Sequence, residues 1–144
     1  MNLNGKWFNE LGSVMEITIS NKNITGTYHT TVGNASGDYE LVGQTDNDED
    51  ESQSIGFVVL WNNSYGSSDS ITSWSGQAQV IDGEEKIVTT WLLTSETDED
   101  DVWHSTLIGK DIFTRDPKPE EKIQRSVAKG IKTAYPKAVL TNLK

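Results

Sequence analysis

The sequence predicts an all-β protein: an eight-stranded antiparallel up-and-down barrel with a C-terminal amphipathic helical extension. Three observations carry that prediction. Short runs rich in Val, Ile, Thr and aromatic residues recur from residue 5 to residue 114, separated by clusters of Gly, Asn, Asp and Ser. Apolar and polar residues alternate within several of them, as Met15, Ile17 and Ile19 do against Glu16, Thr18 and Ser20, so that one strand face is buried and the other meets solvent. Eight such runs follow one another at hairpin spacing, and closing the sheet on itself removes its unpaired edges. A barrel of eight strands can hold one small ligand. A β-sandwich with a filled core satisfies the same pattern.

The predicted strands cover residues 6–10, 14–20, 24–31, 38–44, 54–62, 71–81, 86–94 and 102–114. After Thr114 the character changes. Asp116-Pro117-Lys118-Pro119 interrupts the strand pattern, and Ile123, Val127 and Ile131 then recur every four residues, which predicts a helix over 120–134. An acidic first turn and basic later turns suit the helix dipole, Gly130 opposes it, and Tyr135-Pro136 ends it. The chain thus divides into a barrel, 1–114, and a basic, partly helical tail, 115–144, whose apolar stripe is expected to dock on a barrel.

A chain of 144 residues is large enough to bury a core as one domain. It has no cysteine, which excludes disulfides and thiolate metal sites. The net charge of -10 is unevenly placed: residues 1–114 hold 4 basic and 19 acidic side chains, the tail 8 basic and 3 acidic. So acidic a body repels phosphate backbones, so nucleic acid is not an expected partner. Apolar runs such as 55–61 are too short to span a bilayer, so no membrane association is expected, and the first residues lack a signal-peptide core. Two acidic runs, 46–51 and 96–101, lack the glycine and distal glutamate of a helix–loop–helix calcium site and are expected to be solvated hairpin loops. No metal site or cofactor is predicted.

Little in the chain suggests an enzyme. His29 and His104 fall in different predicted strands, outside any nucleophile-elbow, zinc or phosphate-loop pattern. His29 is expected to be an exposed strand residue. The unusual feature is tryptophan, for Trp7, Trp61, Trp74, Trp91 and Trp103 lie on five different predicted strands. Such residues either pack a core or line a pocket, and an indole-walled pocket suits a compact apolar ligand with polar edges.

Gly5-Lys6-Trp7-Phe8-Asn9-Glu10-Leu11-Gly12-Ser13 resembles the opening strand and turn of the avidin and streptavidin family. Ile24-Thr25-Gly26-Thr27-Tyr28 with Val32-Gly33-Asn34-Ala35, then Trp74-Ser75-Gly76-Gln77, Thr90-Trp91-Leu92-Leu93-Thr94-Ser95 and Trp103-His104-Ser105-Thr106-Leu107-Ile108-Gly109-Lys110-Asp111 are similar to that family's later motifs, in its order. The resemblance runs from Gly5 to about Thr114 and leaves the tail outside.

What the resemblance implies is high-affinity, non-covalent binding of biotin in a tryptophan-lined pocket, without catalysis. Asn9, Ser13 and Tyr28 would donate to the ureido oxygen, while Thr30 and Asp111 would accept from the ureido N–H groups, Asp111 being tied also to Asn9. Thr72 would approach the sulfur, Ser70 and the Asn34 backbone N–H would hold the carboxylate, and Trp61, Trp74, Trp91 and Leu11 would wall the bicycle. Val32, Gly33, Ser68, Leu93 and Trp103 complete the implied set. Trp103 would cross an interface to close a neighbour's pocket, which implies a homotetramer rather than a dimer, and the absence of cysteine argues against the family's disulfide-braced dimers. Secretion as a mature form is likewise an implication of resemblance. Departures are Thr30 for serine, Phe57 for a tryptophan beside the site, and the more acidic Ser68-Asp69-Ser70.

Overall fold

The computed structural model describes residues 1–30, 38–46, 51–63, 66–130 and 132–135. Eight strands form a closed barrel in chain order: β1 (Gly5–Phe8), β2 (Val14–Ser20), β3 (Asn23–His29), β4 (Tyr39–Thr45), β5 (Ser52–Asn63), β6 (Gly66–Ile81), β7 (Glu84–Ser95) and β8 (Thr106–Thr114). Each pairs antiparallel with the next, and β1 closes on β8 through Phe8 opposite Thr114. Two hairpins turn on two residues with positive φ, Asn21-Lys22 and Asp82-Gly83. That handedness matches the strand twist and selects Asn, Asp and Gly. The alternation seen in the sequence becomes an inner wall, with Met15, Ile17, Ile24, Tyr28, Leu41, Ile55, Phe57, Val59, Ala78, Ile87 and Phe113 buried.

Two expectations are corrected. Residues 102–105 do not open the last strand: Glu99–His104 is a 3-10 helix, and β8 starts at Thr106. Glu99, Asp100 and Asp101 in its first turn favour the positive N-terminal end of a helix, a local effect that outweighs the β preference of Val102 and Trp103. His104 therefore lies outside any strand, 3.3 Å from Asp101. The tail helix α1 covers only Glu120–Ala128 rather than reaching 134. Gly130, at φ +71°, turns the backbone out of the helix, as a glycine just past a helix end commonly does. Ile123 is half-buried, and Ile131 lies outside the described residues.

The end of the barrel near the N-terminus is sealed by Trp7 and Arg115. Trp7 is wholly buried, and its indole N–H donates to the Leu3 carbonyl at 2.9 Å. The Arg115 guanidinium lies 3.8 Å from the centre of the Trp7 ring system, donates to Glu85 at 2.9 Å, and donates to the Asn2, Asn4 and Lys6 carbonyls. One planar cation thereby ties the N-terminal segment to the chain beyond β8. Arg115→Ala is expected to cost about 2 kcal/mol, from lost cation–π contact and charge-assisted hydrogen bonds. Arg115→Lys should recover less than half of it, because an ammonium cannot serve the same fork of acceptors. Urea unfolding measures both, and a loss for the alanine variant under about 0.5 kcal/mol would contradict this account.

Candidate functional site

The site begins at the turn between β1 and β2. Asn9 Oδ1 accepts from the backbone N–H groups of Leu11 and Ser13, each at 2.9 Å. The Asn9 and Ser13 backbones also pair, and Gly12 adopts φ +80°, a conformation that favours glycine. With its oxygen committed to the turn, the Asn9 amide turns its nitrogen to the Tyr28 hydroxyl, 3.5 Å away. Tyr28 is completely buried, and burial, helped by the nearby Asp111 charge, raises its pKa well above the ordinary phenol value. It remains a neutral O–H donor at any working pH.

Asp111, on β8, is equally buried. Its Oδ2 accepts the Trp74 indole N–H at 2.9 Å. Burial raises its pKa well above the usual carboxylate value, and the Glu10 carboxyl, which accepts from the Ile112 N–H at 3.0 Å, adds to the rise. Asn9 and the Trp74 indole act the other way and favour the charged form. Among the described residues, five buried side-chain polar atoms are left without a hydrogen-bond partner: Ser13 Oγ, Thr30 Oγ1, Asp111 Oδ1, Trp91 Nε1 and His29 Nδ1, the last of which lies 3.2 Å from the Asp38 carboxylate. Folded proteins rarely leave such groups unpaired, since each costs about 1–3 kcal/mol. Three of the five, on Ser13, Thr30 and Asp111, belong to the set that the family resemblance implies for a cyclic urea. Hydroxyls that can donate or accept, beside a carboxylate oxygen, suit a compact ligand carrying both N–H and C=O groups.

Aromatic rings pack beside these polar groups. Tyr28 meets Trp61 edge-on at 5.5 Å and Trp74 at 5.2 Å, Tyr39 meets Trp61 at 5.0 Å, and Phe57 stacks on Trp74 at 4.9 Å. Phe57 thus still buttresses Trp74 where the family has an indole. Trp61 donates to the Thr72 hydroxyl at 2.8 Å, Ser70 shares a hydrogen bond with Ser95 at 3.0 Å, and Leu11 and Leu93 are buried. Trp91 lies opposite Gly109, where a Cβ would overlap the indole. Gly109→Ala is therefore expected to push the Trp91 ring into the pocket, lowering stability by about 1–3 kcal/mol and reducing ligand binding. Unchanged near-ultraviolet circular dichroism in that variant would show that the ring had not moved.

Of the predicted site residues, Asn9, Leu11, Ser13, Tyr28, Thr30, Trp61, Ser70, Thr72, Trp74, Trp91, Leu93 and Asp111 are all buried. Trp103 is not among them: it stands 81% exposed on the 3-10 helix, against His104. Val32, Gly33, Asn34 and the Ser68 side chain lie outside the described residues. Three participants were missed. Glu10 lies close enough to raise the Asp111 pKa although the first motif gives it no role, and no pattern in the sequence marks Tyr39, which packs on Trp61. Tyr135, read from the sequence as a helix stop, is buried with its ring 6.4 Å from Trp61. His29, expected to be exposed, is half-exposed, with Nδ1 3.2 Å from Asp38.

The chain is similar to known proteins over most of its length. A family model described as Avidin family matches residues 1–116. Avidin of Gallus gallus is 37% identical over 121 residues, covering 78% of this chain and 77% of that protein. Avidin-related protein 4/5 of the same species is 35% identical, with 78% and 77% covered. Fibropellin-1 of Strongylocentrotus purpuratus is 36% identical over 118 residues, but those residues are 78% of this chain and only 11% of that much longer protein.

Proposed function

The chain belongs to the avidin family, and from that premise we propose that its barrel binds biotin reversibly and releases it unchanged. One observation carries the reading: Ser13, Thr30 and Asp111 keep buried oxygens without hydrogen-bond partners, and Trp61, Trp74, Trp91 and Tyr28 are buried in the same barrel. The ureido oxygen of biotin takes donors from Asn9, Ser13 and Tyr28, and its two N–H groups go to Thr30 and Asp111. Three donors on one oxygen favour its polarised form, as an oxyanion hole does. The ligand-free pocket disfavours the charged form of Asp111, and a ureido N–H donated to its Oδ1 favours it, so the bond becomes charge-assisted once biotin is seated. The Thr72 hydroxyl meets the sulfur, Ser70 and the Asn34 backbone N–H hold the carboxylate, and the indoles enclose the bicycle. The assembly proposed is a homotetramer in which Trp103 of each chain completes a neighbour's pocket.

Binding without turnover fits the chemistry of these groups. Tyr28 and Asp111 are both displaced towards their protonated forms, and their partners orient a ligand rather than activate a nucleophile. Calorimetry with biotin tests the reading: saturable binding of one biotin per chain is expected, and no heat beyond dilution at micromolar protein would overturn it.

A further inference from the structure

Beyond α1, the described residues 132–135 lie against the barrel mouth, where Ala134 and Tyr135 are each only 2% exposed, as deeply covered as the core. Two contacts hold them to the barrel, and a third shapes the segment itself. The Thr72 hydroxyl donates to the Ala134 carbonyl, the Tyr135 ring lies edge-on to Trp61, and the Thr133 hydroxyl donates to the Tyr135 carbonyl at 2.8 Å, which fixes the bend. Thr72 and Trp61 are the residues assigned above to the sulfur and the bicycle. The tail carries 8 basic and 3 acidic side chains against a barrel with 4 basic and 19 acidic, so long-range attraction favours the docked state.

We propose that the pocket has a second, built-in ligand, the chain's own 132–135 segment, which seats its Ala134 carbonyl on Thr72 and its Tyr135 ring on Trp61 and must leave before biotin can enter. The competition rests on the biotin reading; the seating of the peptide does not. The occupant is a poor match for the deeper polar set, because Ser13 Oγ, Thr30 Oγ1 and Asp111 Oδ1 remain unpaired while it is in place. It dries the Trp61 wall and satisfies Thr72, and it leaves the ureido positions for a ligand that can pair them. Tyr135 keeps its proton at neutral pH, since burial, with the charges of Asp111 and Glu10 adding, pushes its pKa up to about 12. A tethered occupant acts at millimolar effective concentration, so even a weak peptide closes most pockets. The apparent affinity for biotin then falls by the fraction of chains that are open.

The full chain, Tyr135→Ala and Tyr135→Phe test this in two ways. Without biotin, Tyr135→Ala should redden tryptophan emission and speed trypsin cleavage after Lys132 by about tenfold, while Tyr135→Phe, which keeps the ring, should behave like the parent. With biotin, stopped-flow association should be about tenfold faster in Tyr135→Ala than in the parent, at an unchanged dissociation rate, and biotin should expose Lys132 of the parent to trypsin. Identical emission and cleavage in the parent and Tyr135→Ala would overturn the built-in ligand. Equal association rates, with the seating demonstrated, would overturn the competition. Faster cleavage in Tyr135→Ala with no biotin binding by any of the three chains would support the peptide occupant and sink the biotin reading instead.

Discussion

Asp111→Ala is expected to weaken biotin binding by about 3 kcal/mol or more, at least a hundredfold in Kd. Asp111 serves two sides of the pocket. Its Oδ2 holds the Trp74 indole, and its Oδ1 is buried without a partner. Removing the carboxylate leaves a ureido N–H without its charged acceptor and the Trp74 N–H without a partner. Tyr28→Phe should cost less, about 1 kcal/mol, because two donors to the ureido oxygen remain and the ring stays. Calorimetry ranks the two variants, and a loss under about 1 kcal/mol for Asp111→Ala would mean the site is misassigned.

The same carboxyl should have the opposite effect on the stability of the ligand-free protein. Burial and then Glu10 raise its pKa in the native state, so the native state keeps this proton where the unfolded chain loses it. Stability linked to the proton is complete below the ordinary carboxylate value and is lost as the pH rises through the raised one. Asp111→Asn has no such proton to lose. Its melting temperature relative to the parent should therefore climb as the pH is raised from about 4 towards neutrality. A difference that stays flat across that range would show that Asp111 carries no such strain.

The barrel was legible in the sequence because period-two burial and turn chemistry are local signals. Met15, Ile17 and Ile19 declare an inner face, and Asp82-Gly83 declares a tight turn. The first half of β6 was not legible, since its Gly, Ser and Asp residues alternate no hydrophobicity, and its pairing past the irregularity at Leu60/Asn62 depends on the partner strand. Asn9, Tyr28 and Asp111 were found through motif resemblance, but their states were not. That Asn9 Oδ1 is spent on the turn is a matter of local geometry that the residue types do not declare, and that Asp111 meets Glu10 is a consequence of closure, which brings together residues about 100 positions apart. Tyr135 escaped for a similar reason: a tyrosine before a proline reads locally as a helix stop, and only the barrel mouth makes it an occupant.

Trp103→Ala should raise the biotin off-rate by about 10- to 100-fold while leaving the chain's fold intact. Within one chain this indole does almost nothing: it is 81% exposed and touches His104. In the proposed tetramer that exposure would end, and the surroundings of the indole favour such a contact. Val102, Leu107, Ile108 and Leu92 are each about half exposed or more, and Leu92 pairs with Ile108 across β7 and β8, so apolar side chains gather on the outer wall beside the 3-10 helix. Contiguous patches of this kind are uncommon on monomers and mark contacts between proteins. A second copy seated there would bury the patch, and the proposed tetramer would carry Trp103 to the rim of the neighbouring pocket. An indole at that position keeps water from the ureido hydrogen bonds and must move aside before ligand escapes, so its loss acts on dissociation more than on association. Light scattering should give about four times the 16.0 kDa chain mass for the parent, and exchange of labelled biotin should be faster in Trp103→Ala. A monomer in solution, or an off-rate that the substitution leaves unchanged, would refute the shared pocket.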